Sequence, residues 1–66
     1  EKAVLLGAVM KLKEKNRIVV QLYYYEGYSV KEIAEILRIK ETTVQTRLMR
    51  ARNALREIVK EDWLNE

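Results

Sequence analysis

Sixty-six residues suffice for one small domain with a limited core, so folding stability is of order a few kcal/mol. No cysteine is present, which excludes disulfide and thiolate chemistry, and no histidine, which removes the commonest general base and metal ligand. Apolar residues never run far without a charge, so no stretch reads as a membrane span or signal peptide. The chain opens at Glu1 rather than Met, so a longer parent protein is expected.

The pattern is helical throughout, and an all-α fold with four helices is expected. Val4, Leu5, Ala8, Val9 and Leu12 recur at three- and four-residue spacing and predict a first helix near residues 2–11. Lys13 to Asn16 are polar and read as a junction. A second helix runs to about Tyr25, with Ile18, Val19, Leu22 and one or two tyrosines on its apolar side. Val19-Val20 and Tyr23-Tyr24-Tyr25 would also suit a strand, but no second strand exists to pair with it, and an isolated strand leaves its backbone unsatisfied. Gly27 can take the left-handed conformation that ends this helix.

Ser29 starts the third helix, with Glu32 placed to complete a capping box. Val30, Ile33, Ala34 and Leu37 form its buried stripe, and the small Ala34 permits close approach of the next helix. After the turn Arg38-Ile39-Lys40, the fourth helix carries Val44, Leu48, Ala51, Leu55 and Ile58 on one stripe at ~100° per residue. The opposite sector holds Thr42, Gln45, Thr46, Met49, Arg50 and Asn53. Trp63 is expected to cover one end of the core. The whole reads as one domain over 1–66, with a scaffold helix about 29–37 and a recognition helix about 41–60. Such a helix-turn-helix places its second helix in the major groove of DNA.

Charge supports that reading. The net charge is +3. Residues 38–56 carry six cations against Glu41 alone, whereas residues 57–66 carry one cation against four acids. The basic block coincides with the recognition helix.

The text Leu22-Tyr23-Tyr24-Tyr25-Glu26-Gly27-Tyr28-Ser29, then Lys31 to Leu37, Thr43-Val44 and Arg47 to Leu55 resembles region 4 of a bacterial sigma-70-family factor of the extracytoplasmic-function (ECF) type. The resemblance covers about residues 12–60. It implies a helix-turn-helix domain of the winged-helix-like superfamily without a wing. It also implies recognition of the −35 promoter element and contact with the β-subunit flap of RNA polymerase, in the cytoplasm. Many such factors are held inactive by an anti-sigma factor. Full-length members also carry a region 2 that opens the −10 element, and no counterpart lies within these 66 residues. No cofactor, metal, small-molecule substrate or membrane partner is implied. Three positions depart from the family. Arg38 stands where Gly is usual and would have to turn left-handed at a cost of ~1 kcal/mol. Lys40 stands where a capping Ser or Thr is usual, so Thr42 or Thr43 is expected to cap instead. Lys13 stands where Pro is common.

Gln45 can bond an adenine edge in bidentate fashion, and Arg50 can address guanine or a phosphate. Thr46 offers a hydroxyl and a methyl, and by resemblance Met49 lines the groove with these three. Phosphate contacts are expected from Lys31, Lys40, Thr42, Thr43 and Arg52, with Arg17 added by resemblance. Arg47 lies beside the buried stripe, away from Arg50. An ion pair with Glu32 or Glu35 is its first expected role, and phosphate its second. About five phosphate contacts would give a log K against log salt slope near −4 to −5.

Two other readings compete. A stand-alone dimeric helix-turn-helix regulator would use the ends bearing Leu5, Val9 and Trp63 as its dimer surface. A helical protein-interaction module would dock its basic face on an acidic partner. Catalysis has no support, since nothing forms a nucleophile–base pair or metal cluster around Glu32 and Glu35.

Overall fold

A computed structural model describes residues 7–64 of the 66. Residues 7–10 are helical (α1), followed by α2 (Glu14–Val20), a π-helical segment (Gln21–Tyr25), α3 (Val30–Leu37) and α4 (Glu41–Leu64). No strand occurs among the described residues. The expected first helix therefore falls partly outside them, with Val4 and Leu5, as does the side chain of Trp63.

The second helix starts earlier than its polar residues suggest. Lys13 adopts φ −59°, ψ 146°, an extended conformation that suits a helix cap. Its carbonyl accepts from the amides of Asn16 and Arg17 at 3.0 and 2.9 Å. Glu14 supplies a negative charge to the first turn, where the helix dipole favours it. Lys13 to Asn16 are thus the cap and first turn of α2 rather than a junction.

The end of this helix differs from a regular one. The Glu26 amide donates to the Gln21 carbonyl at 3.0 Å, a five-residue step that defines the π turn. Gly27 then takes φ 77° and reverses the chain. Beyond it the Tyr28 amide donates to the Leu22 carbonyl at 3.0 Å, one residue further back than in an ordinary glycine-ended helix. Leu22 and Tyr23 pack against the core, while Tyr24 and Tyr25 are exposed.

Both signals flanking α3 appear as its sequence predicts. The Ser29 amide donates to Glu32 Oε1 at 2.8 Å, and the Glu32 amide donates to Ser29 Oγ at 3.1 Å. The Ser29 amide, and after it the Ser29 hydroxyl beside the carboxylate, hold the Glu32 carboxyl below its usual range. At the other end Arg38 is left-handed, at φ 57°, ψ 47°, and its amide donates to the Ala34 carbonyl. Ile39 follows with its amide on the same carbonyl at 3.0 Å and its side chain packed on the core. The apolar middle of an otherwise charged turn is therefore an anchor, a role the sequence reading did not assign to Ile39.

Val9, Leu12, Val19, Val20, Ile33, Ala34, Val44, Leu48 and Ala51 form one buried cluster. α4 packs against both α2 and α3. Burial of each full-sized member contributes about 1.5–3 kcal/mol before chain entropy is counted. No polar or charged side chain is buried among the described residues. Val9 is 2% exposed and belongs to this core, so it does not offer the dimer surface expected of it.

Candidate nucleic-acid interface

The stripe of α4 decides what its other faces can do. Val44, Leu48 and Ala51 are 0–2% exposed, and Leu55 and Ile58 are half-buried beside them. Gln45, Met49 and Arg50 are exposed and Thr46 is half-buried. The four expected base-contacting residues therefore face away from the interior.

They do not form one flat row. Thr46 and Arg50 line a cleft of about 690 Å³ together with Thr42, Thr43 and Arg47 of α4 and Lys13 to Asn16 of α2. Gln45 and Met49 are not among its walls. At ~100° per residue they lie on the flank beyond Thr46. α4 thus offers a cationic flank toward α2 and, on its other side, an uncharged first stretch of Gln45 and Met49, with Thr42 and Thr46 along the ridge between them.

Several expectations about single residues change. Arg47 forms no ion pair with Glu32 or Glu35, and its side chain lines the cleft beside Arg50. A helix residue three positions from Arg50 shares its side, and the cleft extends that side to the edge of the core stripe. Neither Thr42 nor Thr43 caps α4. Helix geometry already begins at Glu41, so both lie inside the first turn, where the backbone is helical and not free to form a cap. Lys40 occupies the position before the helix, and its carbonyl accepts from the Val44 amide at 3.1 Å. Glu41 places an acid in that first turn.

Thr46 Oγ1 donates to the Thr42 carbonyl at 2.9 Å. Its proton is thereby engaged within the helix, leaving oxygen lone pairs and a methyl for anything outside. Lys31 and Lys40 are exposed, and Arg17 is half-buried on α2 outside the cleft walls.

Arg52 is placed differently from the phosphate contact expected of it. Its Nε donates to the Tyr24 hydroxyl at 2.7 Å. Its guanidinium carbon lies 6.0 and 5.8 Å from the ring centres of Tyr23 and Tyr24. Those rings meet edge to face, with centroids 4.9 Å apart. The wide turn at Gln21–Tyr25 brings the tyrosines to α4, and Arg52 closes the contact. Beside it runs a mostly apolar groove of about 540 Å³, lined by Val9, Val20, Tyr24, Tyr25, Arg52, Leu55 and Arg56.

The residues that sequence reasoning missed are Lys13, Lys15 and Asn16, which form the second wall of the cationic cleft. Their signal was present as two lysines flanking an acid. Only the packing of α2 on α4 brings them opposite Arg47 and Arg50.

Residues 2–55 match the family described as Sigma-70, region 4. The chain belongs to that family. The ECF RNA polymerase sigma factor SigW of Bacillus subtilis is 47% identical over 49 residues, which is 74% of this chain and 26% of that protein. The ECF RNA polymerase sigma factor SigL of Mycobacterium tuberculosis is 38% identical over 61 residues, 92% of this chain and 34% of that protein. The RNA polymerase sigma factor FliA of Pseudomonas aeruginosa is 45% identical over 42 residues, 64% of this chain and 17% of that protein. The chain thus spans about a third or less of the length of these relatives. The likeness to SigW and SigL fits a region 4 of the ECF type. Region 4 is a helix-turn-helix DNA-binding domain, and membership does not favour a stand-alone dimeric regulator.

Proposed function

We propose that the 66 residues form a single region 4 domain that reads the −35 element through α4 and holds its flanking phosphates, guiding RNA polymerase to promoters in the cytoplasm. Gln45, Thr46, Met49 and Arg50 contact base edges in this reading. Lys31, Lys40, Thr42, Thr43, Arg47 and Arg17 contact the backbone. Arg52 serves first to hold α4 against the tyrosines. That bond uses Nε alone, so the remaining guanidinium donors are free to meet a phosphate as a second role.

The observation that carries the reading is the division of α4. Val44, Leu48 and Ala51 are sealed in the core, while Thr42, Thr46 and Arg50 stand on the opposite side and its cationic flank. A helix inserted in a major groove requires that division. The domain's part is to bind and position, and no bond-making step is assigned to it.

The finer partners follow from the family. The β-subunit flap of RNA polymerase would take the apolar groove beside Leu55, on the other flank of α4 from Arg50. That separation lets DNA and polymerase engage together. An anti-sigma factor would act by covering one of these surfaces. Isolated affinity for DNA will be low, because one small helix-turn-helix makes few contacts. Tethering to polymerase supplies the rest through effective concentration.

Arg50→Ala tests the reading. Titration with promoter duplex should show a loss of about 1–3 kcal/mol, with relaxed preference at one base position. Unchanged affinity and preference would remove Arg50 from the interface. Selection from a random duplex library, with the domain tethered to polymerase, should recover one −35-like motif containing adenine.

A further inference from the structure

The cationic cleft has a wall that the recognition helix does not supply. Lys13 and Lys15, at the start of α2, face Arg47 and Arg50 of α4 across about 690 Å³ of open space. Four cations thus share one concavity with a single acid, Glu14. None of the five forms an ion pair or a side-chain hydrogen bond with another described residue, and the bonds of Glu32 and Arg52 lie elsewhere. Uncompensated like charges held in a concave site repel one another and focus a positive potential there. Neutral hydrogen-bonding groups complete the lining: Asn16 from α2 and the hydroxyls of Thr42 and Thr43 from α4, none of them engaged within the protein. Lysine, arginine, threonine and asparagine are the side chains that hold nucleic-acid phosphates.

We propose that this cleft is a two-walled seat for one DNA phosphodiester strand, with Lys13 and Lys15 as backbone contacts on the side opposite Arg47. The inference rests on the reading of α4 as the groove-inserted helix. Thr46 and Arg50 belong at once to the outward side of α4 and to the cleft, so a strand bordering the groove that α4 enters passes directly into it. A strand seated there is gripped from both sides, and α2 fixes the angle at which α4 enters the groove. The contacts carry no sequence information, because phosphates present the same charge at every step. Glu14 is the opposing element. It stands in the first turn of α2, where it favours the helix, yet it faces the incoming phosphates.

Salt dependence of duplex binding by the full chain tests this, because each cation that neutralises a phosphate adds about 0.9 to the slope of log K against log salt. The double variant Lys13→Gln/Lys15→Gln should lower the slope by roughly 1.8, while the ratio of −35 to random-sequence affinity stays the same. Between about 50 and 200 mM salt, wild type should therefore lose roughly twelvefold more affinity than the variant. Lys60→Gln, late in α4, should leave the slope unchanged. Glu14→Gln should tighten binding at low salt, and a gain of affinity cannot arise from misfolding. A double variant that keeps the wild-type slope, with binding otherwise intact, overturns the two-walled seat and leaves α4 as the reading helix. Loss of preference for the −35 duplex in the double variant would also overturn it, since backbone contacts cannot discriminate bases. Failure of wild type to bind any duplex at low salt would remove the seat and the DNA-binding reading together.

Discussion

Arg38 offers a direct measure of how the turn between α3 and α4 is held. It sits at φ 57°, ψ 47°, in the left-handed region where a Cβ crowds the following carbonyl. That conformation costs a residue with a side chain about 1–2 kcal/mol, and Gly escapes the cost. Gly also gives the unfolded chain more freedom, which takes back about 0.4–1 kcal/mol. The net advantage of Gly over Ala at this position is therefore roughly 0.8 kcal/mol. Comparing Arg38→Gly with Arg38→Ala isolates it, because both variants lose the same cation near the C-terminal end of α3, itself worth about 0.3 kcal/mol. Arg38→Gly should melt higher than Arg38→Ala by about 3–6 °C. Gly27 provides the reverse experiment. It lies at φ 77° with nothing within 4 Å of where a Cβ would sit, so Gly27→Ala carries the backbone cost without a clash. It should destabilise by roughly the same 0.8 kcal/mol. Thermal and urea unfolding of the full chain, followed by far-ultraviolet circular dichroism, reads both. If Arg38→Gly and Arg38→Ala unfold together, or Gly27→Ala costs nothing, left-handed strain does not shape these turns and the reasoning fails.

Three further outcomes follow from the packing and the caps. Ala34 is 7% exposed between α3 and α4, so Ala34→Leu should cost more than about 1 kcal/mol through overpacking, and an unchanged melt would contradict that. The Glu32 carboxyl is held below its ordinary range by its bonds to Ser29, so the stabilisation it adds is present above that range and is lost as pH falls through the lowered value. Glu32→Gln keeps a capping acceptor that does not titrate, so its melting temperature should fall less than that of wild type on acidification; equal declines would deny the capping box a role. Thr46 donates its proton to the Thr42 carbonyl, so Thr46→Val, which keeps the shape and removes the oxygen, should weaken duplex binding only where a base presents a donor to that oxygen. A uniform loss across sequences would place Thr46 on the backbone instead.

What could be read from the sequence alone was local. The reciprocal bonds of Ser29 and Glu32, the left-handed Gly27 and Arg38, and the sealed stripe of Val44, Leu48 and Ala51 each depend on residues within about two helical turns. Spacing and side-chain chemistry determine such features before the chain is folded. Four matters were settled only by packing between distant segments. The wide turn at Gln21–Tyr25 moves the tyrosines out of regular helical phase and carries Tyr24 to Arg52, 28 residues away. Arg47 stands in the cleft rather than beside an acid of α3. The first turn of α2 faces α4, and the interior takes Val9 from a surface it was expected to share. A charged side chain on a helix has several neighbours within reach of its long stem, and periodicity ranks them equally. The relative placement of α2, α3 and α4 selects among them, and that placement is set by how their apolar faces fill one shared core.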